Sequence, residues 1–212
     1  MRITFSKTGS ARYISHLDLN RTMTRAVRRA GLPIWFTEGF TRHPYLTFAS
    51  PLSLGFEGER ETMDVRFADE IEPQELVSRL NAVMPCGLEI LGAAWAVKKA
   101  GDVDRAVYRL NIACDAQEVN ALLSQNEILV QKRTKKKDYK TVDLQPAVLA
   151  SKALVESTER GCTITLTLPC NSVDTVNPSL LIEALKAQIG QPDLVHAVRR
   201  LAVLDKEGKI FA

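Results

Sequence analysis

The sequence predicts an α+β protein of two tandem ferredoxin-like (split βαβ) domains. Three observations point there. Segments of period 2 and period 3.6 follow one another as β-α-β-β-α-β, and that order occurs twice. A polar stretch, "KKAGDVD" at 98–104, separates the two occurrences. The chain has 212 residues, 45% hydrophobic and 25% charged, the balance of a globular protein long enough for two modest cores. The expected domains are 1–100 and 104–212.

The first strand is "RITFSKTGS", which alternates apolar and polar residues and ends on a Gly-Ser turn. Ser15 is an N-cap, with Asp18 three residues on as a capping-box variant. A helix then runs to Ala30, where Gly31 suits the position after the C-cap and Pro33 forbids continuation. "PIWFTEG" reads as a short strand, followed by a long loop with Gly39, Pro44, Pro51 and Gly55. "ETMDVRFA" alternates again, "PQELVSRLNAVM" is a helix from Pro73, and "LEILGAAWAV" is a strand. In the second half "AVYRLNIAC" is a strand and "DAQEVNALLSQ" a helix capped by Asp115. "EILVQKR" is a strand before the charged turn "TKKKDYK", and "TVDLQPAVLASKALVE" mixes a turn or half a helical turn with a strand. "CTITLTLP" is a strand, "NPSLLIEALKAQIG" a helix capped by Asn177 and closed by Gly190, and "LVHAVRRLAVL" the last strand.

No apolar run approaches the roughly 20 residues of a membrane span. "MRITFSKTGS" lacks the apolar core of a secretory signal, so a cytoplasmic location is expected. Cys86, Cys114, Cys162 and Cys170 fall in no CxxC or CxxxCxxC spacing, so no metal site and no cofactor are expected and the thiols read as buried and free. No Walker, GxGxxG, GxSxG or HExxH pattern occurs.

Net charge is only +3, yet it is segregated. Residues 1–35 carry seven basic side chains against Asp18 alone, and 61–97 carry seven acids against Arg66 and Arg79. "KRTKKKDYK", 132–140, carries six basic residues and Asp138. Two basic segments on a nearly neutral chain point to an anionic ligand with defined contacts.

At about 100° per residue, Leu19, Met23, Ala26, Val27 and Ala30 share one side of the first helix. Arg21, Arg25, Arg28 and Arg29 share the opposite side, and His16 lies at the edge of the apolar stripe. Arginine suits bidentate phosphate binding; the alternative is a solvated face. "EGFTRHPY" displays Arg42 and His43 between Phe40 and Tyr45, as RNA phosphates and unstacked bases require; the alternative is a structural crossover. Lys132, Arg133, Lys135, Lys136, Lys137 and Lys140 surround Tyr139 on a hairpin tip that reads as a phosphate-gripping arm or as a merely soluble turn. His16 and His43 are the tentative catalytic pair, with Glu61 and Asp64 as carboxylates nearby in sequence that point to opposite faces of their strand. The helix start "SHLD" and the loop "GFTRHP" are expected to share one surface.

Taken together, Ser15–Asp18, Arg28–Pro33, Gly39–Pro44, Pro51–Gly55, Glu61–Asp64 and the basic segment resemble the bacterial radical SAM-linked protein family, a domain of unknown function. Thr41-Arg42 stands where that family commonly has Asn-Pro, and the basic segment lacks a glycine near Asp138. The family occurs fused to or beside radical SAM proteins and near RNA-processing and ribosomal-protein genes. The resemblance implies an RNA-binding accessory protein working with a radical SAM or RNA-maturation enzyme, without naming whether its RNA is a tRNA or an rRNA precursor. The chain lacks the cluster-binding cysteine spacing, so it is expected to be the partner and not the radical enzyme. Two alternatives stand beside this reading. One is a metal-independent endoribonuclease using His16 and His43; the other is a protein-only adaptor for a radical SAM enzyme. Tandem ferredoxin-like domains also resemble CRISPR repeat-processing ribonucleases at fold level only, and their glycine-rich C-terminal loop has no counterpart in "VLDKEGKIFA".

Overall fold

A computed structural model describes residues 1–133, 138–171 and 173–211, the side chain of Arg133 excepted. The chain is α+β and divides into two compact units, residues 1–103 with 200–212, and residues 104–199. Residues 200–212 therefore group with the first unit, whereas the sequence places them in the second.

In the first unit, strand β1 (Arg2–Lys7) lies antiparallel between β3 (Glu57–Val65) and β4 (Leu88–Ala94). A short β2 (Leu46–Phe48) pairs with β3, and the Arg200–Asp205 part of β10 (His196–Asp205) also lies beside β3. Helices α1 (His16–Arg29) and α2 (Pro73–Asn81) complete it. Ile3, Phe5, Met63 and Val65 from the strands, Leu19, Met23, Ala26 and Val27 from α1, and Leu76 and Leu80 from α2 form one core. The α1 stripe read from the sequence is thus the buried one.

Both ends of α1 follow from local chemistry. Ser15 Oγ accepts from Asp18 N at 3.1 Å and donates to Asp18 Oδ2 at 2.7 Å. At the other end Gly31 has φ +64°, Gly31 N donates to Arg28 O, and Leu32 N to Val27 O at 3.2 Å, a Schellman closure. Arg79 of α2 then donates to Ala30 O at 2.7 Å and Gly31 O at 2.8 Å, so a cation meets the carbonyl end of the helix.

"PIWFTEG" is not a strand. Pro33 has no N–H to give a ladder. Beyond it the chain hooks back on itself: Tyr45 N donates to Trp35 O and Thr37 N to His43 O, leaving only the bridges Ile34↔Phe67 and Phe36↔Pro44. Leu46–Phe48 takes the place beside β3 instead.

In the second unit, β5 (Val103–Ile112) pairs antiparallel with β9 (Gly161–Pro169), and β9 with β8 (Leu154–Thr158). The start of β10 follows β5 in the order β8-β9-β5-β10. Helices α3 (Ala116–Leu123) and α5 (Pro178–Ile189) carry the expected caps, Asp115 Oδ1 on Gln117 N and Asn177 Oδ1 on Ser179 N. "EILVQKR" forms β6 (Leu129–Arg133), but β6 pairs with β7 (Tyr139–Asp143) in a separate two-stranded sheet. A short helix α4 (Gln145–Ser151) leads on to β8, which pairs with β9 at the end of the large sheet.

All four cysteines are free, as expected, but only Cys162 is buried; Cys114 and Cys170 are half-buried and Cys86 is exposed. No helix among the described residues is long and apolar enough to cross a membrane.

Candidate nucleic-acid interface

Two of the seven basic residues counted in 1–35 are interior. Arg2, 1% exposed, donates to Asp64 Oδ1 at 2.8 Å and Oδ2 at 3.0 Å and to Lys98 O, and lies 4.0 Å over the Phe211 ring. Lys7, equally buried, donates to Arg12 O at 3.2 Å. Burial holds its pKa below the ordinary lysine value, with Glu61 acting in the opposite sense and Arg200 in the same sense. Neither cation can touch a ligand at the surface.

Arg21, Arg25, Arg28 and Arg29 are all exposed on α1. Arg21 Nη1 pairs with Asp18 Oδ1 at 3.1 Å, a solvent-exposed contact that adds little to stability. The Ser15 hydroxyl, then Arg21, hold the Asp18 carboxyl below its usual value. Arg28 lies 5.3 Å from the centre of the Phe36 ring, and Arg29 donates to Val83 O at 2.9 Å. Arg25 has no partner among the described residues. Phe36 stands on the hooked segment 35–45, whose tip carries the fully exposed Phe40 and the exposed Arg42. Gly39, at φ +120°, makes the reversal possible where a side chain would be strained. Farther along, Arg66 lies 4.2 Å over Trp35, and Trp35 meets Tyr45 edge-on at 6.1 Å. Helix and hook thus interleave guanidinium groups with aromatic rings.

The histidines do not pair. His16 is exposed, and its ring packs edge-on against Phe48 at 5.0 Å. His43 is also exposed and stays within its own hook, its Nδ1 3.1 Å from Thr37 Oγ1 and 3.2 Å from Thr41 O. No hydrogen bond or ring contact joins the two imidazoles among the described residues. Glu61 and Asp64 are likewise engaged elsewhere. Glu61 is buried in a bidentate pair with Arg200, which is 2% exposed, and Asp64 is held by Arg2. Arg200 also donates to Ser50 O at 2.7 Å. The sequence held no sign of Arg200, because its partner lies 139 residues away.

On the second basic segment, Lys132 donates to Thr175 O at 2.8 Å, and Tyr139 and Lys140 are exposed on β7. Lys135, Lys136, Lys137 and the side chain of Arg133 lie outside the described residues. Among those described, no group of three or more His, Cys, Asp or Glu side chains is placed to hold a metal.

These features define an α+β protein with an arginine-and-aromatic surface on one helix and the hook beside it. The chain belongs to the family described as an uncharacterized protein conserved in bacteria (DUF2344), whose profile matches residues 1–178. No curated protein matches the chain.

Proposed function

We propose that this protein is an RNA-binding accessory factor working with a radical SAM or RNA-maturation enzyme, and that both its units are ferredoxin-like. The observation that carries the reading is the Arg28 guanidinium over the Phe36 ring, which joins α1, with its exposed Arg25, to the 35–45 hook, with its exposed Phe40 and Arg42. Phosphates call for guanidinium donors, and unstacked bases for exposed rings. The orders β4-β1-β3-β2 and β10-β5-β9-β8 support the ferredoxin-like reading, each set beside two helices. The partner enzyme is inferred from the family resemblance of the sequence motifs.

The ribonuclease alternative weakens once each imidazole has its own neighbour and neither touches the other. Crosslinking the protein to cellular RNA in a bacterial host, followed by sequencing, tests the binding reading. Enrichment of a discrete set of structured transcripts, lost in Arg25→Ala/Arg28→Ala/Arg42→Ala, is the expected result. Recovery no better than that of an unrelated protein of similar charge defeats it. His16→Ala and His43→Ala are expected to leave any bound RNA intact. A 2′,3′-cyclic phosphate product abolished by either change would move the assignment to an enzyme.

A further inference from the structure

Three acids of the run 61–97, Asp64, Asp69 and Glu70, line a cleft in the first unit. Tyr45 immediately precedes β2, Arg66 and Phe67 follow β3, and Trp95 follows β4. Pairing of Arg2 with both Asp64 and Ala94, and of Leu46 with Val65, brings those strand ends to one end of the sheet. The cavity there measures about 560 Å³ and is lined by Tyr45, Phe67, Asp69, Glu70, Ile71 and Trp95 among others.

Its lining combines aromatic rings with three carboxylates, the Arg66 guanidinium and the Met1 ammonium. Tyr45 is 44% and Trp95 62% exposed, and Trp95 has no ring or hydrogen-bond partner among the described residues. The other charges at the lining are engaged: Asp64 by Arg2, Arg66 over the Trp35 ring, and the Met1 ammonium, which donates to Val65 O at 2.8 Å. Asp69 and Glu70 are exposed and form no ion pair among the described residues. Two carboxylates that form no ion pair among the described residues stand beside two accessible rings.

We infer that this cleft binds an organic cation, an aliphatic ammonium or guanidinium group. The indole and phenol faces attract such a cation through their quadrupoles, while Asp69 and Glu70 neutralise it. A phosphate placed against the two rings would face Asp69 and Glu70, and among the described residues no group of three or more His, Cys, Asp or Glu side chains is placed to hold a bare metal ion. The cation has two possible sources, a free polyamine or a Lys or Arg side chain of a protein partner. The inference does not rest on the proposed RNA binding: the cleft shares Tyr45 with the hook, and Asp69, Glu70 and Trp95 lie outside both α1 and the hook.

The test uses the full-length, RNA-free, isotope-labelled chain. Spermidine and a capped Ala-Lys-Ala tripeptide are titrated separately, and each is compared with sodium chloride at matched ionic strength. The Trp95 indole N–H, assigned with Trp95→Phe, and the backbone amides of residues 66–70 are followed by NMR. Saturable shifts beyond the salt control are expected. Trp95→Ala and Asp69→Asn/Glu70→Gln each weaken binding by about fivefold or more. These side chains are exposed, so the fold persists, as the rest of the amide spectrum verifies. Tighter binding of spermidine assigns a free polyamine, and tighter binding of the peptide assigns a partner's basic side chain. Shifts equal to those of salt, titrations indifferent to both variants, or stronger shifts with cytidine monophosphate than with spermidine overturn the inference.

Discussion

Arg200 and Glu61 show how a single residue can bind the chain's end to its beginning. Both are buried in the first unit, and Lys7 lies in their field. Breaking such a pair on one side leaves an uncompensated charge in the interior, at a cost of about 3–5 kcal/mol. Arg200→Met is therefore expected to lower stability by about 3 kcal/mol in urea unfolding at neutral pH. Glu61→Met is expected to be the worse change, because it leaves Lys7 and Arg200 buried together without an anion. Arg200→Met/Glu61→Met should recover part of the loss. If the double variant is no better than the worse single one, the two side chains do not act as a pair. None of this was legible in the sequence. A sequence-level charge count treats each Lys and Arg as exposed, and the burial of Arg2, Lys7 and Arg200 comes from contacts with residues far along the chain.

At the scale of elements, what was local was readable. Ser15, Gly31, Asp115 and Asn177 cap their helices because each cap needs only residues within one turn. The stripe of α1 was readable for the same reason. Strand partnership was not. "PIWFTEG" has the composition of a strand, yet its backbone is spent on a hook, and "EILVQKR" is a strand in a different sheet from the one expected. Lys98, at the start of the polar stretch 98–104, is tied within the first unit. Lys98 Nζ donates to Asp205 and, at 2.8 Å, to Glu207 Oε2, and Asp205 Oδ1 accepts from Glu207 N and Lys209 N. Lys98 above all, then the backbone N–H of Lys209, holds the Asp205 carboxyl below its ordinary 3.8, against the opposing effect of burial. A carboxylate with a depressed folded value adds stability that is fully present above 3.8 and is lost as pH falls through the lower folded value. Unfolding midpoints measured from about pH 6 down to about pH 2 should therefore fall more steeply for the native chain than for Asp205→Asn. Parallel curves would remove Asp205 from the acid response. Arg79→Met, which strips the carbonyl end of α1 of its donors, is expected to cost about 1–2 kcal/mol by the same unfolding assay. It should leave the exposed arginines in place.

Over the whole molecule, the net charge of +3 decides how RNA binding must look if it occurs. A nearly neutral protein has no general attraction for polyanions, so affinity has to come from a few defined contacts. Arg25, Arg28 and Arg42 are exposed, and only Arg28 has a described neighbour, the Phe36 ring. Each phosphate contact on a single strand contributes about 0.7 to the slope of log K against log salt. Replacing all three by Ala should thus flatten that slope by about 2 and weaken binding to unrelated sequences alike. Phe40→Ala removes a ring and no charge. It should weaken binding to single-stranded loops by about 1–3 kcal/mol, leave the salt slope unchanged and scarcely affect binding to a perfect duplex. The two kinds of variant separate the electrostatic part of the surface from the stacking part, and filter binding across a salt series reads both. A slope untouched by the triple replacement would shift the contacts to the β6–β7 hairpin, where Lys132 and Lys140 stand. A Phe40→Ala loss equal on loop and duplex would mean that the ring supports the hook and does not meet a base.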